Sequence, residues 1–107
     1  MKTTAVSFQL EDNYRKAHMT GRVSELDGVT YEQLVRTFGE PNFGPSGDDK
    51  VQAEWLIEFT NEFGEKVIAT IYDYKQYGTP VEQINYWSIG GFKAEAGWLV
   101  KECLGIL

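Results

Sequence analysis

The chain has 107 residues, 42% of them hydrophobic and 14% aromatic. That is enough for one domain with its own core, too short for two, and too apolar for disorder. A formal net charge of −6 works against sequence-independent binding to nucleic acid or to an anionic membrane. The single cysteine, Cys103, excludes an intrachain disulfide and suits a cytoplasmic setting. No apolar run reaches the ~18–20 residues of a membrane span. The opening MKTTAVSFQLED lacks the apolar core of a signal peptide.

In chain order, Lys2 to Leu10 reads as a first strand, with Thr4, Val6, Phe8 and Leu10 alternating with Thr3, Ala5, Ser7 and Gln9. Glu11 to Glu25 has no clean period and reads as a long excursion, with a short strand around Arg22-Val23-Ser24. Thr30 to Phe38 carries the marks of a short helix. Thr30 and Gln33 form a capping box, Val29 and Leu34 a staple, and Gly39 and Pro41 a stop. Pro41 to Lys50 is rich in breakers.

Ala53 to Tyr74 reads as a β-hairpin. Ala53, Trp55, Ile57 and Phe59 share one face, Glu54, Glu58 and Thr60 the other, and Asn61-Glu62-Phe63-Gly64 makes the turn. The return run is apolar on both faces: Val67, Ala69 and Ile71 oppose Ile68, Tyr72 and Tyr74. Gln83 to Ile89 is a last strand, broken by Gly90-Gly91. Ala94 to Leu104 is a second helix, with Ala96, Leu99, Val100, Cys103 and Leu107 on one side. Antiparallel strands joined by tight turns predict an α+β fold of about four strands, with both helices packed on one face.

No set of residues spells out a reaction, so the expectation is that the protein is not an enzyme. Asp48-Asp49 sits in a Gly-rich loop but lacks the alternating oxygen ligands of a calcium loop, and Lys50 adjoins it. His18 is the sole histidine, which removes a His-based metal site. No cofactor or metal is expected. The diglycine before the second helix reads as a tight turn, with an anion site as the alternative.

The aromatic residues are the richest feature. Tyr72, Tyr74, Tyr77 and Tyr86 gather toward one end of the sheet, with Trp87 beside them. Tyrosine and tryptophan dominate binding hot spots because they bury large area and keep a polar handle. A two-layer fold leaves one sheet face open. Here that face is apolar enough either to bind something or to be covered by another element or a second subunit. An acidic run from Asp48 to Glu65, with Asp49, Glu54 and Glu58, offers a second docking surface for a basic partner. The basic run Arg15, Lys16, His18 and Arg22 offers a phosphate site for a small ligand such as a nucleotide.

The series TYEQLVRTFGEPN, AEWLIEF, ATIYDYK and WSIGG, from about Val29 to Phe92, resembles a family of small accessory proteins of bacteriophages and related mobile elements. The resemblance implies a role as a non-enzymatic binder and inhibitor of a host protein, a defence protein among the candidates, in the host cytoplasm. It transfers no catalytic residue. The docking residues expected are Tyr72, Tyr74, Tyr86, Trp87, Glu54, Glu58, Asp48 and Asp49, with a small-ligand or nucleotide binder as the alternative.

Overall fold

The alternation of the central hairpin decides which side of the sheet becomes the core. A computed structural model describes residues 2–45, 47, 50–76 and 78–106. The elements run β1 (Ala5–Leu10), a 3-10 helix (Tyr14–Ala17), β2 (Gly21–Asp27), α1 (Tyr31–Phe38), β3 (Glu54–Asn61), β4 (Lys66–Tyr72), a short 3-10 turn (Val81–Gln83), β5 (Tyr86–Gly91) and α2 (Glu95–Leu104). Five strands form one antiparallel sheet in the order β1-β3-β4-β5-β2. Trp55, Ile57 and Phe59 of β3, Val67, Ala69 and Ile71 of β4, and Trp87 and Ile89 of β5 point to one face. They meet Leu34 and Phe38 of α1 and Ala96, Leu99 and Val100 of α2. The fold is therefore α+β, with both helices on one face. Among the described residues no helix is long and apolar enough to cross a membrane.

The sheet has five strands where about four were expected, and the extra one is β2. Its register slips between Arg22 and Ser24. A bulge of this kind breaks the period of two by which a strand is recognised. A second slip, between Ala5 and Ser7, interrupts β1, which begins at Ala5 rather than Lys2. Its start is held by side chains as well as backbone: Thr4 N–H donates to the Glu62 carboxylate at 3.0 Å and Ala5 N–H to that of Glu102 at 2.9 Å, while Glu62 N–H donates to the Thr4 carbonyl at 2.8 Å.

Helix α1 spans barely two turns, too short to persist without packing. Its capping box forms as expected: Gln33 N–H donates to the Thr30 hydroxyl at 3.2 Å and Thr30 N–H to Gln33 Oε1 at 2.8 Å. Its two flanks are then clamped to the sheet. The Trp87 indole N–H donates to the Val29 carbonyl before the helix, and the Trp55 indole N–H to the Gly39 carbonyl after it, both at 2.8 Å.

The diglycine is part of β5 rather than a break after it. Gly90 pairs with Thr70 and Arg22, and Gly91 with Ala69 and Gly21. A Cβ at Gly91 would lie 2.6 Å from the Ala96 methyl, so only glycine lets α2 approach the strand this closely. Its backbone is committed to the ladder, which takes the place of the tight turn expected there.

The hairpin turn is organised by a buried amide. Asn61 Oδ1 accepts from Phe63 N–H and Glu65 N–H at 3.0 Å, while Nδ2 donates to Glu65 and Glu95 carboxylates at 2.9 Å. Glu95 is buried and also receives the Thr3 hydroxyl and the Lys93 ammonium. The Thr3 hydrogen bond, followed by those from Asn61 and Lys93, holds its carboxyl below the ordinary value of 4.5 against burial.

Two outcomes follow for stability. Asn61→Ala removes the acceptor of two turn N–H groups and one donor to the buried Glu95, and should destabilise by roughly 2–3 kcal/mol in a denaturant titration. Because the folded state depresses the Glu95 carboxyl, its contribution is present above 4.5 and is lost as pH falls below it. A Glu95→Gln variant should show a flatter loss of melting temperature in acid than the native chain. An equal acid slope in both would remove Glu95 as its source.

Candidate functional site

The sheet face opposite the helices is divided in two. Leu56, Thr70 and Ser88 lie on it and are buried, although no helix reaches them. The cover is the excursion between β1 and β2. Asn13 caps its 3-10 helix by accepting from Arg15 N–H at 3.2 Å, and Ala17 is buried beneath it. Polar contacts pin it to β3. The Lys16 ammonium lies 3.2 Å from Glu58 and 2.8 Å from Glu11. The Tyr14 hydroxyl lies 2.9 and 3.0 Å from the two oxygens of Glu54. The Tyr14 ring meets Phe43 edge-on at 4.9 Å, and Phe43 is bridged by backbone hydrogen bonds to Glu54. So a further element of the same chain covers part of the face, one of the outcomes the apolar pattern of β4 allowed.

Beyond the excursion the face stays open. Arg22, Tyr72, Tyr74, Tyr86 and Ser88 line a hollow of about 410 Å³. Tyr74 is 49% exposed and Tyr86 39%. Arg22 is oriented within it: its guanidinium donates to the Tyr86 hydroxyl at 2.6 Å and to the Ser88 hydroxyl at 3.3 Å, with Glu25 at 3.9 Å. Next to it, Tyr14, Glu54, Thr70, Tyr72, Tyr74 and Gly90 line a smaller pit of about 220 Å³. Tyr72 and Tyr74 belong to both hollows, so the two form one continuous tyrosine-lined surface.

Burial and hydrogen bonding perturb the ionisable groups here. Burial, reinforced by the Glu54 hydrogen bond and charge, pushes Tyr14 up to about 12. Burial also raises Glu54 above the usual carboxylate range; the Tyr14 hydrogen bond opposes this and the Asp73 charge adds to it. Tyr72 is raised by burial and held back by Arg22. The site thus presents tyrosines, one guanidinium and a carboxyl group partly withdrawn from water. These groups favour binding by stacking and charge.

The expected site residues separate. Tyr72, Tyr74 and Tyr86 come together on the open face as the alternation implied. Trp87 does not join them. It is buried against Trp55 at 5.5 Å between ring centroids, because it lies one residue from Tyr86 and a strand alternates its side chains. Glu54 and Glu58 were expected to stand free on their strand face, yet both lie partly covered beneath the excursion. Asp48, Asp49 and Tyr77, like Leu107, lie outside the described residues.

The basic run also divides. Lys16 is paired with two carboxylates, Arg15 and His18 share a separate hollow with Tyr14, and Arg22 sits among the tyrosines. Cys103 is half-buried on α2, and burial pushes its thiol above 9. Among the described residues no three His, Cys, Asp or Glu side chains converge as a metal site.

Sequence reasoning missed Tyr14 and Asp73. Tyr14 sits in a stretch without period. Its signal was charge: a basic run free of acids, set against a strand face bearing Glu54 and Glu58 two positions either side of a leucine. Asp73 is fully buried just past β4, where Oδ1 accepts from Gln52 and Ala53 N–H at 2.9 Å. Comparison with known proteins places this α+β domain beside none of them: no family model, curated protein or solved structure matches the chain.

The Tyr14–Glu54 contact is open to a direct test. The folded state binds the Tyr14 proton more tightly than the unfolded chain does. Its contribution to stability is thus complete below the ordinary value of 10 and is lost as pH rises toward about 12. In an alkaline titration followed by tyrosinate absorbance, Tyr14→Phe should remove one late-ionising tyrosine, and Glu54→Gln should make that tyrosine ionise earlier. An unchanged late transition in both variants would contradict the contact.

Proposed function

We propose that the protein is a non-enzymatic binding module of the bacteriophage accessory type, which docks on a host protein in the host cytoplasm and inhibits it through the tyrosine-lined open face of its sheet. The observation that carries this reading is the convergence of Tyr72, Tyr74, Tyr86 and Arg22 on a part of that face the excursion leaves bare. Tyrosine and arginine are the residue types that dominate hot spots, since both bury large area while keeping directed hydrogen bonds. Arg22 is held by two hydroxyls before any partner arrives, which lowers the entropy lost on docking. The resemblance to phage accessory proteins supplies the host partner, a defence protein among the candidates.

The expected acidic docking surface has less support. Glu54 and Glu58 hold the excursion in place, so reversing their charge would disturb the fold as well as any interface. A second reading, a nucleotide binder or sequestering protein, draws on Arg22 lying within reach of rings on which a base can stack. Arg15 and His18, which would have completed a phosphate clamp, open onto another hollow.

The test is retention of one stoichiometric partner from host lysate, compared between the native chain and a Tyr74→Ala/Tyr86→Ala variant. Both rings are exposed, so the variant should keep its unfolding midpoint while losing the partner by about 30-fold or more in affinity. Equal retention would overturn docking through this face. A rise in melting temperature with nucleoside phosphates, absent from the variant, would favour the second reading.

A further inference from the structure

The pit beside the open tyrosine hollow has a chemistry of its own. Its wall is Tyr14, Tyr72 and Tyr74, and the Glu54 carboxylate stands in it. Its floor is backbone at Gly90, where a Cβ would collide with the Thr70 hydroxyl and lie 3.5 Å from the Tyr72 ring. A larger residue there would fill the pit.

The pit carries one acidic group. Glu54 is a carboxylate whose hydrogen-bonding partner in the fold is a neutral phenol, Tyr14. Aromatic faces and phenol oxygens also attract cations. The molecule itself shows one such contact at the rim, where the Lys75 ammonium sits 5.3 Å from the centre of the Tyr74 ring. Arg22 is bound to Tyr86 and Ser88 in the adjoining hollow.

We propose that this pit receives a lysine or arginine side chain of the docked protein, its cationic head paired with Glu54 and enclosed by Tyr14, Tyr72 and Tyr74. This rests on the docking reading and deepens it by stating what the partner must present. A volume of about 220 Å³ is enough for the head and outer methylenes of one such side chain. The net charge of −6 favours approach of a basic surface. Glu54 thereby serves two roles, holding the excursion through Tyr14 and anchoring the partner.

The test is an amide-resolved NMR titration of the full chain at constant ionic strength. The probes are n-butylamine hydrochloride, agmatine and the blocked peptide acetyl-Gly-Lys-Gly-amide, with 1-butanol as the neutral control. The cations should give saturable shifts at Tyr14, Glu54, Tyr72 and Gly90, and butanol none. Glu54→Gln, which can still accept the Tyr14 hydroxyl, should weaken all three cations by about tenfold. Shifts equal for butanol and butylamine, or unaffected by Glu54→Gln, would overturn the proposal. Binding of the free amines without the peptide would overturn the side-chain assignment. If no cation binds while Tyr74→Ala/Tyr86→Ala still loses the protein partner, docking stands and the cationic anchor falls.

Discussion

Two indole N–H groups hold this fold together. Trp87 and Trp55 pack edge to face in the core, and each donates to a carbonyl flanking the same short helix, at Val29 and at Gly39. Tyr31 of that helix lies over both rings, 5.8 Å from Trp55 and 6.4 Å from Trp87. A two-turn helix has little stability of its own. Fastened at both ends to the sheet, at β5 before it and β3 after it, it becomes a lid on the core. Each buried aromatic ring removes roughly 150–250 Å² from water, about 4–6 kcal/mol at 25 cal/mol per Å². Neither indole can be turned outward for binding without releasing the helix.

That constraint sets the fate of the other face. With both helices on one side, Leu56, Thr70 and Ser88 on the far side need cover from elsewhere. The excursion between β1 and β2 supplies it for part of the sheet, fixed by Lys16 to Glu58 and by Tyr14 to Glu54. Where the excursion ends, the tyrosines begin. The boundary between the covered and the open part of this face thus runs through Tyr14 and Glu54, which border both. The rest of the surface follows from alternation: Tyr86 and Ser88 face out because Trp87 and Ile89 face in.

Much of the fold was legible because its signals are local. The capping box at Thr30 and Gln33, the stop at Gly39 and the strict alternation of Trp55, Ile57 and Phe59 each report on structure within a few residues. The two bulged strands were harder to read. A register slip inverts the pattern midway, so β2 looked like a fragment and β1 began late. Gly90-Gly91 looked like punctuation because glycine usually is; its reason here is the close approach of α2, a contact between elements that sequence spacing does not record.

The candidate site was half legible. Alternation placed Tyr72 and Tyr86 together, since both lie on one face of adjacent strands. Trp87 was grouped with them by composition, against its own position in the alternation. Arg22 was assigned to a phosphate clamp because it neighbours other bases in the chain. The sheet instead pairs β2 with β5 and brings Arg22 beside Tyr86 and Ser88. Lys16 lost its availability to Glu11 and Glu58. Long-range pairing, rather than residue type, decided which of the charged groups remained free for a partner.

The sheet has one face closed over two tryptophans and another on which tyrosines stand open. Photochemically induced nuclear polarisation tests this arrangement most directly, because a flavin dye polarises only those tyrosine and tryptophan rings that it can touch. Tyr74 and Tyr86 should show strong enhancement, and Trp55 and Trp87 none. Enhancement of Trp87, or silence from both Tyr74 and Tyr86, would contradict it.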